Sequence, residues 1–258
     1  CFFVLFPYPR LFARHMSHIR NMEAMIDPTA SDLAEWQAEV EQRIVLAQQA
    51  ATTQPVAIDP ASPVGVQRIV ERLVLERVHY KWDWDVWGLA DYMPTVTEMF
   101  DESRLGDGVV YEDCDGRAVM AASLMKRLGH RASLATDLRH VWVVTPEGAY
   151  MGPGDDKSLI STSKGNRIDW STLASNIPMS LSYRLAVFPL GRELSIAITA
   201  YLLMLHRGLT TGRALFALLL LVQGLLFMRL GFFAPHAVSR EVSAWPSWVG
   251  IAHIFAGL

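Results

Sequence analysis

Cysteine is scarce in this chain: two in 258 residues, Cys1 and Cys114. That excludes a disulfide-stapled scaffold and a zinc module built on cysteine clusters. No CxxC or HExxH occurs, and the eight histidines are scattered, so metal-ligand spacing is missing. A glycine-rich phosphate loop is missing too, and no cofactor is implied. The formal net charge of −3 lacks the basic footprint of a nucleic-acid binder. With 51% hydrophobic and 19% charged residues, the chain is too apolar to be disordered.

Charge is absent from one part in particular. Residues 181–258 hold six Arg, two Glu and no Lys, a net of +4. Residues 1–180 hold 17 Lys plus Arg and 24 Asp plus Glu, a net of −7. The first part has the composition of a soluble domain, the second that of a membrane segment or a very apolar interface. Three regions follow: an arm (1–63), a central domain (64–180) and a membrane-embedded helical region (181–258).

The arm starts with CFFVLFPYP, which is too short to span a bilayer. It reads as the tail of a spanning segment, as an interfacial aromatic anchor, or as the start of a lipoprotein with a modified Cys1. Arg10, Arg14, His15, His18 and Arg20 interleave with Leu11, Phe12, Met16, Ile19 and Met22. That spacing predicts an amphipathic helix, either at lipid headgroups or on an ordinary protein surface. Leu33, Trp36, Val40, Ile44 and Ala47 mark one face of a second helix, and TTQPVAIDPASP (52–63) reads as a linker.

In the central domain, Val66, Ile69, Val70, Leu73 and Val74 predict a helix over 64–78. YKWDWDVWGLADYMP (80–94) alternates aromatic and acidic residues. It reads as a core-edge segment with buried Trp rings and exposed Asp, or as a substrate-binding wall. A helix is expected over 115–128, with Gly129 as its C-cap. RASLATD, RHVWVVT and AYMG then read as strands, with PEG as a turn. Cys114 falls at the helix N-terminus, where the macrodipole lowers a thiol pKa, although Glu112, Asp113 and Asp115 oppose that shift. His140 opens the second strand. A cysteine and a histidine so placed suit a thiolate–imidazolium pair, with Asp155 or Asp156 available to orient the histidine.

GVVYEDCDGRAVMAASLMKRLGHRA followed by RHVWV resembles the bacterial transglutaminase-like superfamily, and MPTVTEMF (93–100) resembles its segment leading into the cysteine. The resemblance implies an α+β, papain-like core over roughly 65–156, with Cys114 as nucleophile and His140 as base. The family's third residue is usually an Asp directly after a strand. Here MGPGDD displaces it, so Asp155 is assigned with Asp156 as its rival.

LSIAITAYLLML (194–205) and ALFALLLLVQGLLFM (214–228) predict a transmembrane helical hairpin in a bacterial cell membrane. Trp245, Pro246 and Trp248 add an aromatic anchor, and His206, His236 and His253 read as interface residues. The positive-inside rule places the domain in the cytoplasm, whereas a lipidated Cys1 would place it outside. Two functions follow. One is a membrane-anchored thiol acyl-transferase or amide hydrolase acting on a peptide or protein. The other is a non-catalytic accessory subunit of a large membrane complex, respiratory or photosynthetic for example. The expected partners are the bilayer and other membrane subunits, and no nucleic acid.

Overall fold

The computed structural model describes residues 6–52, 58–137, 139–152, 159–164, 167–168, 170–205, 209–237 and 245–257. Helices and small sheets combine in an α+β architecture. The chain divides into two compact units, Phe6–Asp169 and Trp170–Leu258, the latter grouped with residues 1–5.

The first unit runs through α1 (Pro9–Arg20), a 3-10 turn (Met22–Met25), α2 (Leu33–Ala51) and α3 (Pro63–Arg77). Next come β1 (Val78–Tyr80), the single turn α4 (Asp83–Val86), α5 (Val96–Leu105), β2 (Val110–Glu112) and α6 (Cys114–Arg127). Five short strands follow: β3 (Ser133–Thr136), β4 (Val141–Thr145), β5 (Gly148–Tyr150), β6 (Ile160–Ser161) and β7 (Arg167–Ile168). β1 and β2 pair in parallel. The other five form an antiparallel sheet in the order β5-β4-β3-β6-β7. The last two strands lie between residues 156 and 169.

Helix α6 is the centre of this unit. Every residue from Ala118 to Met125 is buried. The run of Ala118, Ala121 and Ala122 lets neighbouring elements approach closely. Both ends are capped as their residues dictate. The Asp113 side chain accepts from the Asp115 N–H at 3.2 Å. At the other end Gly129 takes φ 86°, and His130 N–H returns to the Met125 carbonyl at 3.0 Å. Helix α5 starts with a capping box between Thr95 and Glu98. Leu33, Trp36 and Val40 of α2 join the same core as α3 and α6. Residues 6–52 are thus built into the central unit rather than forming a separate arm.

Helix α1 shows how. His15 and His18 are buried. Met93 N–H donates to His15 Nδ1 at 3.2 Å, and His18 Nδ1 donates to the Met93 carbonyl at 2.6 Å. Both backbone groups of Met93 are therefore satisfied by one helix face, as buried polar groups require. Arg14 extends to Glu98 at 2.5 Å. The basic face expected to meet headgroups or solvent is largely spent on the protein itself.

The second unit contains α7 (Trp170–Val187), α8 (Leu190–Met204), α9 (Thr211–Ala237) and α10 (Trp245–Gly257). Within α9, Thr211–Leu230 is 20 residues of mean hydropathy 1.8 with 17% of its window buried. At 1.5 Å per residue that is about 30 Å, a bilayer core thickness. It is the one helix among the described residues long and apolar enough to cross a membrane by itself. Helix α8 has 15 residues and rises only about 22 Å. With Asn176–Val187 it makes a pair bent by 112° that meets the same criteria jointly, rather than a second straight arm of a hairpin. Helices α9 and α10 touch at glycine. A Cβ on Gly250 would sit 2.8 Å from the Gly224 carbonyl, and one on Gly224 would meet the Gly250 carbonyl at 2.8 Å. Arg229 pairs with the buried Glu193, and Ser182 with Ser247 at 2.6 Å. His253 donates Nδ1 to Val249 O, one turn back, at 2.8 Å.

His18→Ala strands the buried Met93 carbonyl. The expected cost is about 1–3 kcal/mol, with a melting temperature several degrees lower. Thermal unfolding followed by circular dichroism measures it, with exposed Arg10→Ala as a control that leaves the midpoint in place.

Candidate functional site

The site is assembled where β2 runs into α6. β2 is short, and its last residue, Glu112, is fully buried. Asp113 caps α6, and Cys114 is the first helical residue. The thiol is half-buried, at the positive end of the helix. Opposite lies the start of β4, which packs on α6 and whose Val141 N–H acts to lower the Cys114 thiol pKa. His140 immediately precedes that residue. The fold thus brings the expected nucleophile against the strand end that carries the expected base. Asp155 and Asp156 lie outside the described residues.

Two groups that the sequence did not single out hold His140. Asp137 is buried, and its Oδ1 accepts from the His140 and Arg139 backbone N–H groups, both at 2.9 Å. Its Oδ2 accepts from the Arg139 guanidinium at 2.8 Å. The imidazole Nε2 donates to the Met151 carbonyl at 2.6 Å, and the ring stacks on Trp142 with centroids 6.3 Å apart. An aspartate opening a tight turn, three residues before the histidine, was the available signal for Asp137.

The surroundings of the thiol are acidic. Asp83, Glu112, Asp113 and Asp115 each offer a carboxylate oxygen, all within 4.8 Å of one another. Asp83 comes from α4 and is buried, with Oδ2 accepting from Tyr92 N–H at 2.7 Å. The core-edge reading of 80–94 fails at Asp83, which is inside while Trp82 and Trp84 are half-exposed, and holds at the exposed Asp85. Glu112 accepts from Trp87 Nε1 at 2.9 Å. Gly116 is required by this packing, because a Cβ there would lie 2.6 Å from Glu112 Oε2. Asp83 Oδ1 and Glu112 Oε2 are buried with no hydrogen-bond partner. Four clustered carboxylates, two of them with an unused buried oxygen, match the oxygen donors that a hard divalent cation such as calcium or magnesium takes.

Electrostatics follow from this crowding. Burial first, then neighbouring negative charge, pushes the carboxyls of Asp83, Glu112 and Asp115 well above the usual range. Burial also raises the Cys114 thiol, Asp113 and Asp115 raise it further, and the Val141 N–H works the other way. The helix dipole argument alone gives the wrong direction for this thiol. Arg117 is the nearest cation of α6, but it is committed to the Val78 carbonyl at 2.6 Å.

A carboxyl whose pKa is raised by folding favours the folded state below its unfolded pKa, and that benefit is lost as pH rises through the folded value. Asp83, Glu112 and Asp115 therefore lower stability over the interval above the ordinary carboxylate pKa, as the pH rises toward their raised folded values. Calorimetry in the presence of chelator should show Asp83→Asn losing less melting temperature than the parent chain over that interval. Equal slopes would contradict the assignment. Comparison with known proteins returns no match, whether to family models, to curated proteins or to solved structures.

Proposed function

We propose that this chain is a membrane-anchored, transglutaminase-like thiol enzyme, an acyl-transferase or amide hydrolase. The observation that carries the reading is the packing of α6, which Cys114 opens, on β4, which His140 immediately precedes. It sets a cysteine at a helix start beside a strand that a histidine immediately precedes, in the order that papain-like sites require. In this reading the thiol proton passes to His140, and the Cys114 sulfur attacks an amide carbonyl of a peptide or protein. The amine leaves with the proton from His140, and water or a second amine resolves the acyl-enzyme. Helix α9 supplies the anchor in a bacterial membrane, and its exposed Leu215, Phe216, Leu219 and Leu226 suit lipid or partner helices.

A second reading is favoured by the carboxylates that hold the thiol protonated. In it the same fold is an accessory subunit of a membrane complex, with Cys114 as a structural residue and the membrane helices as the docking element.

Thiol reactivity decides between them. In a Cys1→Ser background, Cys114 should react with iodoacetamide at pH 7 faster than glutathione does. His140→Ala should slow it by about 10²-fold, the lower end of what a positioned base supplies. Slower labelling than glutathione, unchanged by His140→Ala, removes the enzyme reading and leaves the accessory one.

A further inference from the structure

Met151 is the one non-glycine residue with positive φ among the described residues, at 61°. The left-handed region is disfavoured for a side chain of this kind, so something must hold it there. What that conformation delivers is a carbonyl aimed at the His140 ring, 2.6 Å from Nε2. A carbonyl only accepts, so Nε2 carries the proton. In the neutral ring the lone pair is then on Nδ1, and the main chain that carries the ring runs into β4, which packs on the helix that Cys114 opens.

The turn is braced by the ring that His140 stacks on. A Cβ at Gly152 would lie 2.4 Å from Trp142 Cβ and Cγ, so the chain presses onto Trp142 with no room for a side chain. Trp142 in turn is fully buried, and its ring is nearly coplanar with the imidazole, at 20°. Asp137 fixes the backbone N–H of His140 from the other side. The imidazole is thus held at its main chain, its face and its Nε2, and among the described residues no acidic side chain bonds the ring.

We propose that the Met151 carbonyl is the positioning group for His140, doing for this site what a third polar side chain does in other cysteine–histidine pairs. The inference rests on the enzyme reading of Cys114 and His140, and it displaces Asp155 and Asp156 from the orienting role. The proton bookkeeping is simple. The S–H bond of Cys114 breaks, an N–H bond forms at Nδ1, and the resulting imidazolium keeps its Nε2–H on the Met151 carbonyl. A backbone acceptor adds no second negative charge to a site already crowded with carboxylates.

The test is the tautomer of His140. The full chain, labelled with ¹⁵N-histidine in detergent, is assigned by difference against His140→Gln, and long-range ¹H–¹⁵N spectra report which nitrogen holds the proton. The parent chain is expected in the Nε2–H form. Met151→Gly keeps it, because glycine accepts φ 61° freely. Met151→Val, a β-branched residue that resists positive φ, shifts it toward Nδ1–H, and so does Gly152→Ala. The double variant Asp155→Asn with Asp156→Asn leaves it unchanged. Cys114 alkylation at pH 7 falls by about tenfold in Met151→Val, part of the 10²–10⁴ a positioned base supplies, and stays level in Met151→Gly. An Nδ1–H form in the parent chain, or its appearance on removal of Asp155 and Asp156, overturns the proposal. Should the tautomers follow the expected pattern while Cys114 reacts no faster than glutathione, the hydrogen bond stands and the enzyme reading is what fails.

Discussion

The first unit depends on the complete burial of α6. A helix enclosed along its middle cannot leave its end groups to water, so each terminus must be satisfied by protein. At the C-terminus a left-handed glycine does this cheaply. At the N-terminus the same need draws Asp113 and Asp115 inward, next to Glu112 and Asp83. The cysteine that benefits from the helix dipole therefore sits among the carboxylates that oppose its ionisation. Site chemistry and helix burial are one problem here. The tight fit between Glu112 and Gly116 shows how little freedom remains to solve it differently.

How far the sequence discloses this differs by element. The helix over 115–128 and its glycine cap were readable because a short apolar period and a Gly stop are local signals. The structure moves the start by one residue, to Cys114. The strands flanking PEG were readable for the same reason. The docking of α1 was not, since a face of basic and apolar residues suits a headgroup layer, a protein surface and a protein groove alike. The distinction lies in the Met93 backbone, 75 residues away, which the pattern of α1 does not mention. Asp83 was misjudged because aromatic–acidic alternation usually leaves the acid in water. Here one backbone N–H from Tyr92 and the closeness of β2 outweigh that preference.

The environment of His140 marks another limit. Side chains leave a trace in a sequence, whereas a carbonyl is present at every position and is selected only by conformation. A search for the third polar residue therefore turns to the nearest aspartates. Met151 becomes visible only through its φ and the ring 2.6 Å away. Asp137 is intermediate: its turn-opening position is legible, but its two bonds to consecutive backbone N–H groups are not.

The clamp on Met93 has a consequence for the order in which the chain acquires its structure. Residues 9–20 are synthesised first, but the backbone that buries His15 and His18 lies 75 to 78 residues later. At about 5–20 residues per second on the ribosome, the nascent helix spends several seconds with His15 and His18 lacking their Met93 partner. Docking of α1 therefore waits at least for the segment that leads into α5.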